Sequence, residues 1–91
     1  MIRVEQRRAQ RVDCLIAGQI VLNNGSEIRC VIRNLSLYGA CLQVSSHFGV
    51  PEDIFLWILG ERVKRPCSIV WRSSRELGVQ FSNAPALARG G

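Results

Sequence analysis

The sequence predicts an all-β fold, a small antiparallel barrel or sandwich of about six short strands in one domain of 91 residues. Apolar residues recur at a spacing of two along most of the chain, and no segment keeps the 3.6-residue spacing of an amphipathic helix. Turn-forming residues separate the apolar runs at short intervals. A barrel is the more attractive arrangement, because closure leaves no apolar strand with an unpaired edge.

The first half of the chain holds three strand candidates. Residues 11–23 form a long one, in which Gly18 is consistent with a bulge or a bend at a barrel corner. Residues 23–26, Asn-Asn-Gly-Ser, predict a tight hairpin turn because Asn-Gly readily adopts positive φ angles. Residues 27–34 and 39–44 then alternate cleanly. The side chains expected to face inward are Ile28, Cys30, Ile32, Ala40, Leu42 and Val44.

The second half predicts three more strands. Residues 45–53 form a loop rich in Ser, Gly and Pro, and residues 54–59 form a strand that is apolar on both faces. Residues 63–72 follow, and Pro66 suggests an edge strand or a bulge there. Residues 77–81 alternate again. Their side chains expected to face inward are Leu77, Val79 and Phe81.

Composition excludes several classes of protein. With 47% hydrophobic and 21% charged residues the chain has the composition of a globular protein rather than a disordered one. The cysteines are widely spaced, without a CxxC pair, and His47 lies in no cluster, so we expect no metal site. We expect reduced, buried thiols, with a disulfide scaffold as the less favoured alternative. No secretory signal or apolar run of about 20 residues is present, and we expect a cytoplasmic protein without a membrane span.

Positive charge is concentrated at the N-terminus. The net charge is +5, and residues 1–12 hold four arginines against one glutamate. Such a basic arm suggests an anionic partner, which could be a nucleotide, a nucleic acid or an acidic membrane surface. A solvated arm that keeps the protein soluble explains the charge equally well.

The arm contains an RxxxR motif formed by Arg7 and Arg11. Residues four apart project to the same side of an extended or a helical segment, and Arg8 widens the basic surface. A guanidinium group can bind phosphate through two parallel hydrogen bonds, pair with O6 and N7 of guanine, or stack on a base. Paired arginines therefore suit a guanine nucleotide, although the motif taken alone is more often a solvated arm.

A second motif, Asn-Leu-Ser-Leu-Tyr-Gly at residues 34–39, interrupts the strand pattern. Asn34 and Ser36 carry short polar side chains that hold tight turns, and Gly39 permits close approach of another group. Converging N–H groups, an amide and a hydroxyl could bind an oxyanion or read a base edge. Taken alone, the motif is more simply a turn between two strands.

Together the two motifs resemble the paired signature of the PilZ domain family, RxxxR before the first strand and [D/N]xSxxG after the second. The resemblance covers about residues 5–82 and includes the segments IVWR (residues 69–72) and LGVQF (residues 77–81). It implies a six-stranded antiparallel β-barrel with a short or absent C-terminal helix. It also implies a non-enzymatic bacterial receptor for the second messenger cyclic di-GMP, with no cofactor. The implied organisation is a basic arm at residues 1–11, a barrel at 12–82 and a flexible tail at 83–91.

The resemblance also implies the ligand-binding residues, which are Arg7, Arg8, Arg11, Asn34, Ser36 and Gly39. In the family the arginines bind phosphate and guanine as the arm wraps over the ligand, and the first residue of the second motif reads guanine donors. The serine contacts the nucleotide, and the glycine makes room for it. Asn34 stands where Asp is commoner, so its amide oxygen accepts without charge assistance and binding is expected to be weaker.

Four further side chains have two interpretations each. Trp71 could line the ligand surface, although its alternation with Cys67 and Ile69 favours the core. Trp57 is expected in the core or as an interface anchor. Tyr38 is expected to be exposed, where it could shield the ligand or simply complete the turn, and the loop residue His47 is expected at the surface.

The sequence thus predicts a receptor whose N-terminal arm is ordered by cyclic di-GMP and then presented to a downstream protein. One alternative is a small basic barrel that binds single-stranded nucleic acid, although six aromatic residues, most of them alternating inward, are few for base stacking. Another is a PilZ-like interaction domain that binds no nucleotide. An enzyme is least favoured, since no nucleophile–base or carboxylate pair is visible.

Overall fold

In the computed structural model, residues 11–46 and 49–83 are described, and they form a closed antiparallel β-barrel without a helix. The order of strands around the barrel is β1-β2-β3-β6-β5-β4, and every neighbouring pair is antiparallel. The predicted six-stranded barrel is therefore confirmed. The strands are β1 (Val12–Val21), β2 (Glu27–Leu35), β3 (Gly39–Gln43), β4 (Asp53–Ile58), β5 (Arg65–Arg72) and β6 (Glu76–Phe81).

The barrel interior is filled by alternate side chains of all six strands. Every inward position predicted from the sequence is buried except Ile28, which is partly buried and packs against the same core. Removing a Leu, Ile or Phe side chain of this kind from water stabilises the fold by about 1.5–3 kcal/mol. The most deeply buried side chains are Ile20, Ile32, Leu42, Leu56, Cys67, Leu77 and Phe81.

The predicted hairpin connects β1 to β2. Gly25 has a φ of 91°, in the left-handed region that glycine adopts without strain. The N–H of Leu22 donates to the Ser26 carbonyl at 2.9 Å, and the Asn24 side chain accepts from the Ser26 N–H at 2.9 Å. The turn fixes the register of the β1–β2 ladder.

The sequence suggested irregularities at Gly18 and Pro66, but both residues lie in regular parts of the sheet. Gly18 pairs regularly with Cys30 and with Ile58, and a Cβ atom there would lie 3.0 Å from the Trp57 carbonyl oxygen. This glycine therefore permits close packing rather than a bulge. Pro66 pairs regularly with Phe55 on a strand that has neighbours on both sides, so it marks neither an edge nor a bulge. Its position near the start of β5 explains why proline is tolerated.

Both tryptophans lie on the outside of the barrel, so of the two interpretations given for each, the one that places it in the core is wrong. Trp57 is 41% exposed because β4 alternates strictly and its inward positions are taken by Ile54, Leu56 and Ile58. Its indole N–H donates to the Glu61 carbonyl at 3.1 Å. Trp71 is 44% exposed because a register shift in β5 interrupts the alternation that predicted it to be buried.

The cysteines behave as small apolar side chains with free thiols. Cys30, Cys41 and Cys67 are buried and Cys14 is partly buried. Burial raises the pKa of Cys30 to about 11 and, as the largest cause, that of Cys67 to about 12. These thiols are therefore protonated at neutral pH.

Candidate functional site

One row of residues crosses the outer face of five strands. Asp13 on β1 is paired with Asn34 on β2, which is paired with Cys41 on β3. Cys41 is paired in turn with Gly78 on β6, and Gly78 with Trp71 on β5. Because residues directly opposite one another in a sheet share a face, the side chains of this row lie together on the outside of the barrel.

Three register shifts produce this row. They occur on β1 between Asp13 and Ile16, on β2 between Ile32 and Asn34, and on β5 between Ile69 and Trp71. Strict alternation from the buried Ile32 would turn Asn34 into the core, and strict alternation from Ile69 would do the same to Trp71. In these two cases one extra residue moves the side chain to the outer face, as bulges beside functional sites commonly do. The shift on β1 instead brings Asp13 opposite Asn34.

An open cavity with a volume of about 780 Å³ lies over much of this row. It combines two arginines with an exposed indole, which is the chemistry that binds phosphate and stacks on a base. Arg11 reaches across it, and its Nη1 donates a long hydrogen bond of 3.4 Å to Asn34 Oδ1. The lining residues are Arg11, Asp13, Cys14, Leu15, Arg33, Asn34, Cys41, Trp71 and Glu76.

The turn after β2 is closed by Ser36. Its hydroxyl oxygen accepts from the N–H groups of Tyr38, at 3.1 Å, and Gly39, at 3.2 Å, and its own N–H donates to the Gly39 carbonyl at 2.9 Å. These bonds hold the chain reversal that places Asn34 at the edge of the cavity. The Tyr38 carbonyl accepts from the Phe81 N–H at 2.7 Å, and the Tyr38 residue is partly buried rather than fully exposed.

Two glycines make close approaches near the site. A Cβ atom on Gly39 would overlap the backbone carbonyl of Val79 on β6, so this glycine lets β3 and β6 pair. A Cβ atom on Gly78 would overlap the indole of Trp71, so the indole lies directly over Gly78. The absence of a side chain at Gly78 therefore allows the Trp71 indole to pack directly against the β6 backbone.

Charges of both signs surround Cys41. The pKa of this thiol is raised, first by burial and then by the Glu76 carboxylate, while Arg11 and Arg33 oppose the rise. Arg33 also donates from Nη1 to Gln43 Oε1 at 2.9 Å. The cavity thus carries two guanidinium groups that are not in ion pairs within the described part of the chain.

The structure brings together some of the predicted site residues. Arg11, Asn34 and Trp71 line one cavity, and Ser36 and Gly39 build the adjoining turn. Arg7, Arg8 and His47 lie outside the described residues. Sequence reasoning missed Asp13, Arg33, Cys41, Glu76 and Gly78, because register shifts and cross-strand neighbours leave no periodic signal.

A second concave surface of about 810 Å³ lies elsewhere on the outer face, between Trp57, Leu59, Arg29 and Arg75. None of the predicted ligand-binding residues lines it. Among residues 11–46 and 49–83, no three His, Cys, Asp or Glu side chains are grouped to hold a metal ion. Over the same residues there is no helix with the length and hydropathy of a membrane span.

Comparison with known proteins identifies the family. The sequence matches the family model of the PilZ domain over residues 5–89. The chain belongs to the PilZ domain family. PilZ domains are ligand-binding receptor domains, and no catalytic family is indicated. No curated protein matches the sequence.

Solved PilZ structures share the fold at low identity. The PilZ domain of YcgR from Escherichia coli, solved with c-di-GMP, aligns with a TM-score of 0.66 at 16% identity, over 86% of this chain and 79% of that one. The PilZ domain of CeSA from a cellulose-synthesizing bacterium aligns with a TM-score of 0.65 at 18% identity, over 84% and 83%. The Bacillus subtilis inhibitor of motility, MotI/DgrA, aligns with a TM-score of 0.67 at 20% identity, over 94% of this chain but 46% of that chain.

Proposed function

We propose that this PilZ domain is a receptor for cyclic di-GMP, which binds on the outer face of the barrel over the row from Asp13 to Trp71. The observation that carries the proposal is a single cavity lined by Arg11, Asn34 and Trp71, which come from three different parts of the sequence. These side chains offer a phosphate-binding cation, a polar amide beside it and a stacking surface, and together they suit a guanine nucleotide.

The roles follow from the chemistry of each side chain. Arg11 binds a phosphate or a guanine face, together with Arg7 and Arg8 of the arm. Trp71 stacks on a base, because its indole rests on Gly78 and is 44% exposed. Ser36 and Gly39 hold the turn that positions Asn34, and Tyr38 lies inside that turn.

The relatives support the same ligand. The E. coli YcgR domain, whose structure was solved with c-di-GMP, shares the barrel over most of both chains. A second YcgR structure, also in complex with c-di-GMP, aligns with a TM-score of 0.61 at 18% identity. At these identities the likeness concerns the fold, so the proposal depends on the side chains of this chain's own cavity.

Signalling requires a second step, which we assign to the basic arm at residues 1–11. In this scheme the ligand orders the arm through Arg7, Arg8 and Arg11, and the ordered arm presents a new surface to a downstream protein in the bacterial cytoplasm. Deleting residues 1–11 should abolish high-affinity binding. Unchanged affinity of the deleted protein would refute the role of the arm.

The experiment that tests the proposal is calorimetric titration with cyclic di-GMP, with separate titrations of GTP and cyclic GMP as controls for specificity. The wild-type protein should give saturable heat with the cyclic dinucleotide only, and Arg11→Ala should lose about tenfold or more in affinity, because a charged hydrogen bond contributes about 1.5–3 kcal/mol. Arg29→Ala is the matched control, since Arg29 is exposed on β2 but lines the other concave surface. Equal loss in both variants would argue against this site.

The same titration distinguishes the alternatives. Binding to single-stranded DNA that falls steeply with salt, without preference for the dinucleotide, would identify a general nucleic-acid surface. A folded protein that gives no heat with any nucleotide would identify an interaction domain without a nucleotide ligand. Either result would refute the receptor proposal.

A further inference from the structure

Asp13 carries a carboxylate at the β1 end of the candidate site, and none of the roles described so far uses it. It is exposed, lines the same cavity as Arg11 and Trp71, and is the direct cross-strand partner of Asn34. Side chains paired in this way have Cβ atoms about 4.5–5.5 Å apart. Within the described part of the chain, the Asp13 carboxylate takes part in no ion pair and no side-chain hydrogen bond.

The amide oxygen of Asn34, by contrast, already has a donor. Arg11 Nη1 lies 3.4 Å from Asn34 Oδ1. Because a guanidinium group only donates, the oxygen of the amide must be the atom that faces Arg11, and its NH₂ group is left to face elsewhere. A neutral oxygen that is polarised by a cation is also a poor acceptor for two further donors. Asn34 in this arrangement holds Arg11 more readily than it reads a guanine edge.

Guanine presents two adjacent donors on its Watson–Crick edge, N1–H and N2–H. A carboxylate has two oxygens and only accepts, so it matches this pair with two parallel, charge-assisted hydrogen bonds. Adenine presents one amino donor beside a ring nitrogen that accepts, and the second carboxylate oxygen would repel that nitrogen. A free carboxylate in the cavity therefore selects guanine over adenine.

We propose that Asp13 is the residue that determines base specificity in this domain, and that it supplies from β1 the carboxylate that Asn34 lacks on β2. This inference rests on the proposed cyclic di-GMP function. It assigns base selection to Asp13 and leaves Asn34 the positioning of Arg11, so the two neighbours have separable roles.

The test compares the affinities for cyclic di-GMP and cyclic di-AMP by calorimetry in the full chain. Asp13→Asn keeps the shape of the side chain and removes its charge. We expect it to lose about tenfold or more in affinity for cyclic di-GMP with little change for cyclic di-AMP, because charge-assisted hydrogen bonds are about twice as strong as neutral ones. Glu27→Gln is the matched control, since it removes one exposed carboxylate from the far end of the same strand pair.

A second variant separates the two roles. Asn34→Ala should weaken both dinucleotides by similar factors and preserve the preference for guanine. The inference is wrong if Asn34→Ala removes that preference, or if Asp13→Asn keeps it within twofold of the wild-type ratio. If the wild-type protein binds no cyclic dinucleotide, both this inference and the receptor proposal fail. If it binds and only the Asp13 result is negative, the receptor proposal stands.

Discussion

At the scale of single residues, the candidate site depends on contacts that a side chain makes with the backbone beneath it. The Trp71 indole rests on Gly78, and the turn before Gly39 is closed by the Ser36 hydroxyl. Neither contact involves a charged group, yet each fixes where a ligand-facing atom lies. In the proposed receptor, these small residues therefore act by positioning the side chains of the candidate site.

Gly78→Ala should displace the Trp71 ring. The added methyl group would overlap the indole, which is an exposed side chain and can rotate away at little cost to the fold. We expect a change in tryptophan fluorescence, nearly unchanged thermal stability, and cyclic di-GMP affinity that falls by about tenfold, because stacking on an aromatic side chain contributes about 1–3 kcal/mol per base. Gln80→Ala, at an exposed position of the same strand, should change none of these.

At the scale of strands, the barrel concentrates its irregularities at one place. The register shifts of β1, β2 and β5 flank the same outer row, while the hairpin end of the β1–β2 ladder is regular. The regular part could be predicted, because alternation and an Asn-Gly turn leave clear signals in the sequence. The outward position of Trp71 could not be predicted, because the sequence alternates without a break through the bulge of β5. Where the bulge lies depends on the pairing of β5 with β6, which is not visible in the sequence of β5 alone.

The paired motifs themselves were predicted from residue types. Asn34, Ser36 and Gly39 mark a turn in any context, and the turn forms as expected. The partners that surround it were not predictable, because Asp13 and Gly78 become neighbours only when the barrel closes. The sequence therefore predicts the turn of the candidate site, whereas the neighbouring residues Asp13 and Gly78 are known only from the fold.

Gly39→Ala should weaken the β3–β6 ladder. The new Cβ atom would overlap the carbonyl oxygen of Val79, and a backbone atom cannot move aside without breaking the pairing. We expect the free energy of unfolding to fall by about 1–3 kcal/mol, as overpacked positions usually show. Urea unfolding without ligand measures it. Leu37→Ala, at an exposed position in the same turn, is the control, and an equal loss there would contradict this explanation.

At the scale of the whole molecule, closure of the barrel buries three of the described thiols, and both concave surfaces lie on its outer face. Cys30 and Cys67 lie in the core, where burial raises their pKa to about 11 and about 12. The outer face carries two separate concave surfaces, one at the PilZ motifs and one around Trp57. The interior thus determines stability, and the outer row is available for recognition.

Stability should decrease in alkali because of these thiols. Their stabilising contribution is fully present below the ordinary thiol pKa of 9.0 and is lost as the pH rises through the folded-state values, since the unfolded chain releases its protons first. Urea unfolding between about pH 8 and pH 11 should show this decline. Cys30→Ala should make the fall of the unfolding free energy with pH less steep, by the amount that corresponds to the release of about one proton. An unchanged slope would contradict the raised pKa of Cys30.

The central proposal is that cyclic di-GMP binds at the Trp71 side of the barrel and not at the Trp57 side. The two tryptophans allow this to be measured directly. The protein has two tryptophans, so an ¹H–¹⁵N NMR spectrum contains two indole signals, one from the candidate site and one from the other concave surface. Titration with cyclic di-GMP should shift the Trp71 indole and the backbone amides of Asn34 and Gly78, and leave the Trp57 indole nearly unchanged. A shift of the Trp57 signal with Trp71 unaffected would contradict the proposed site.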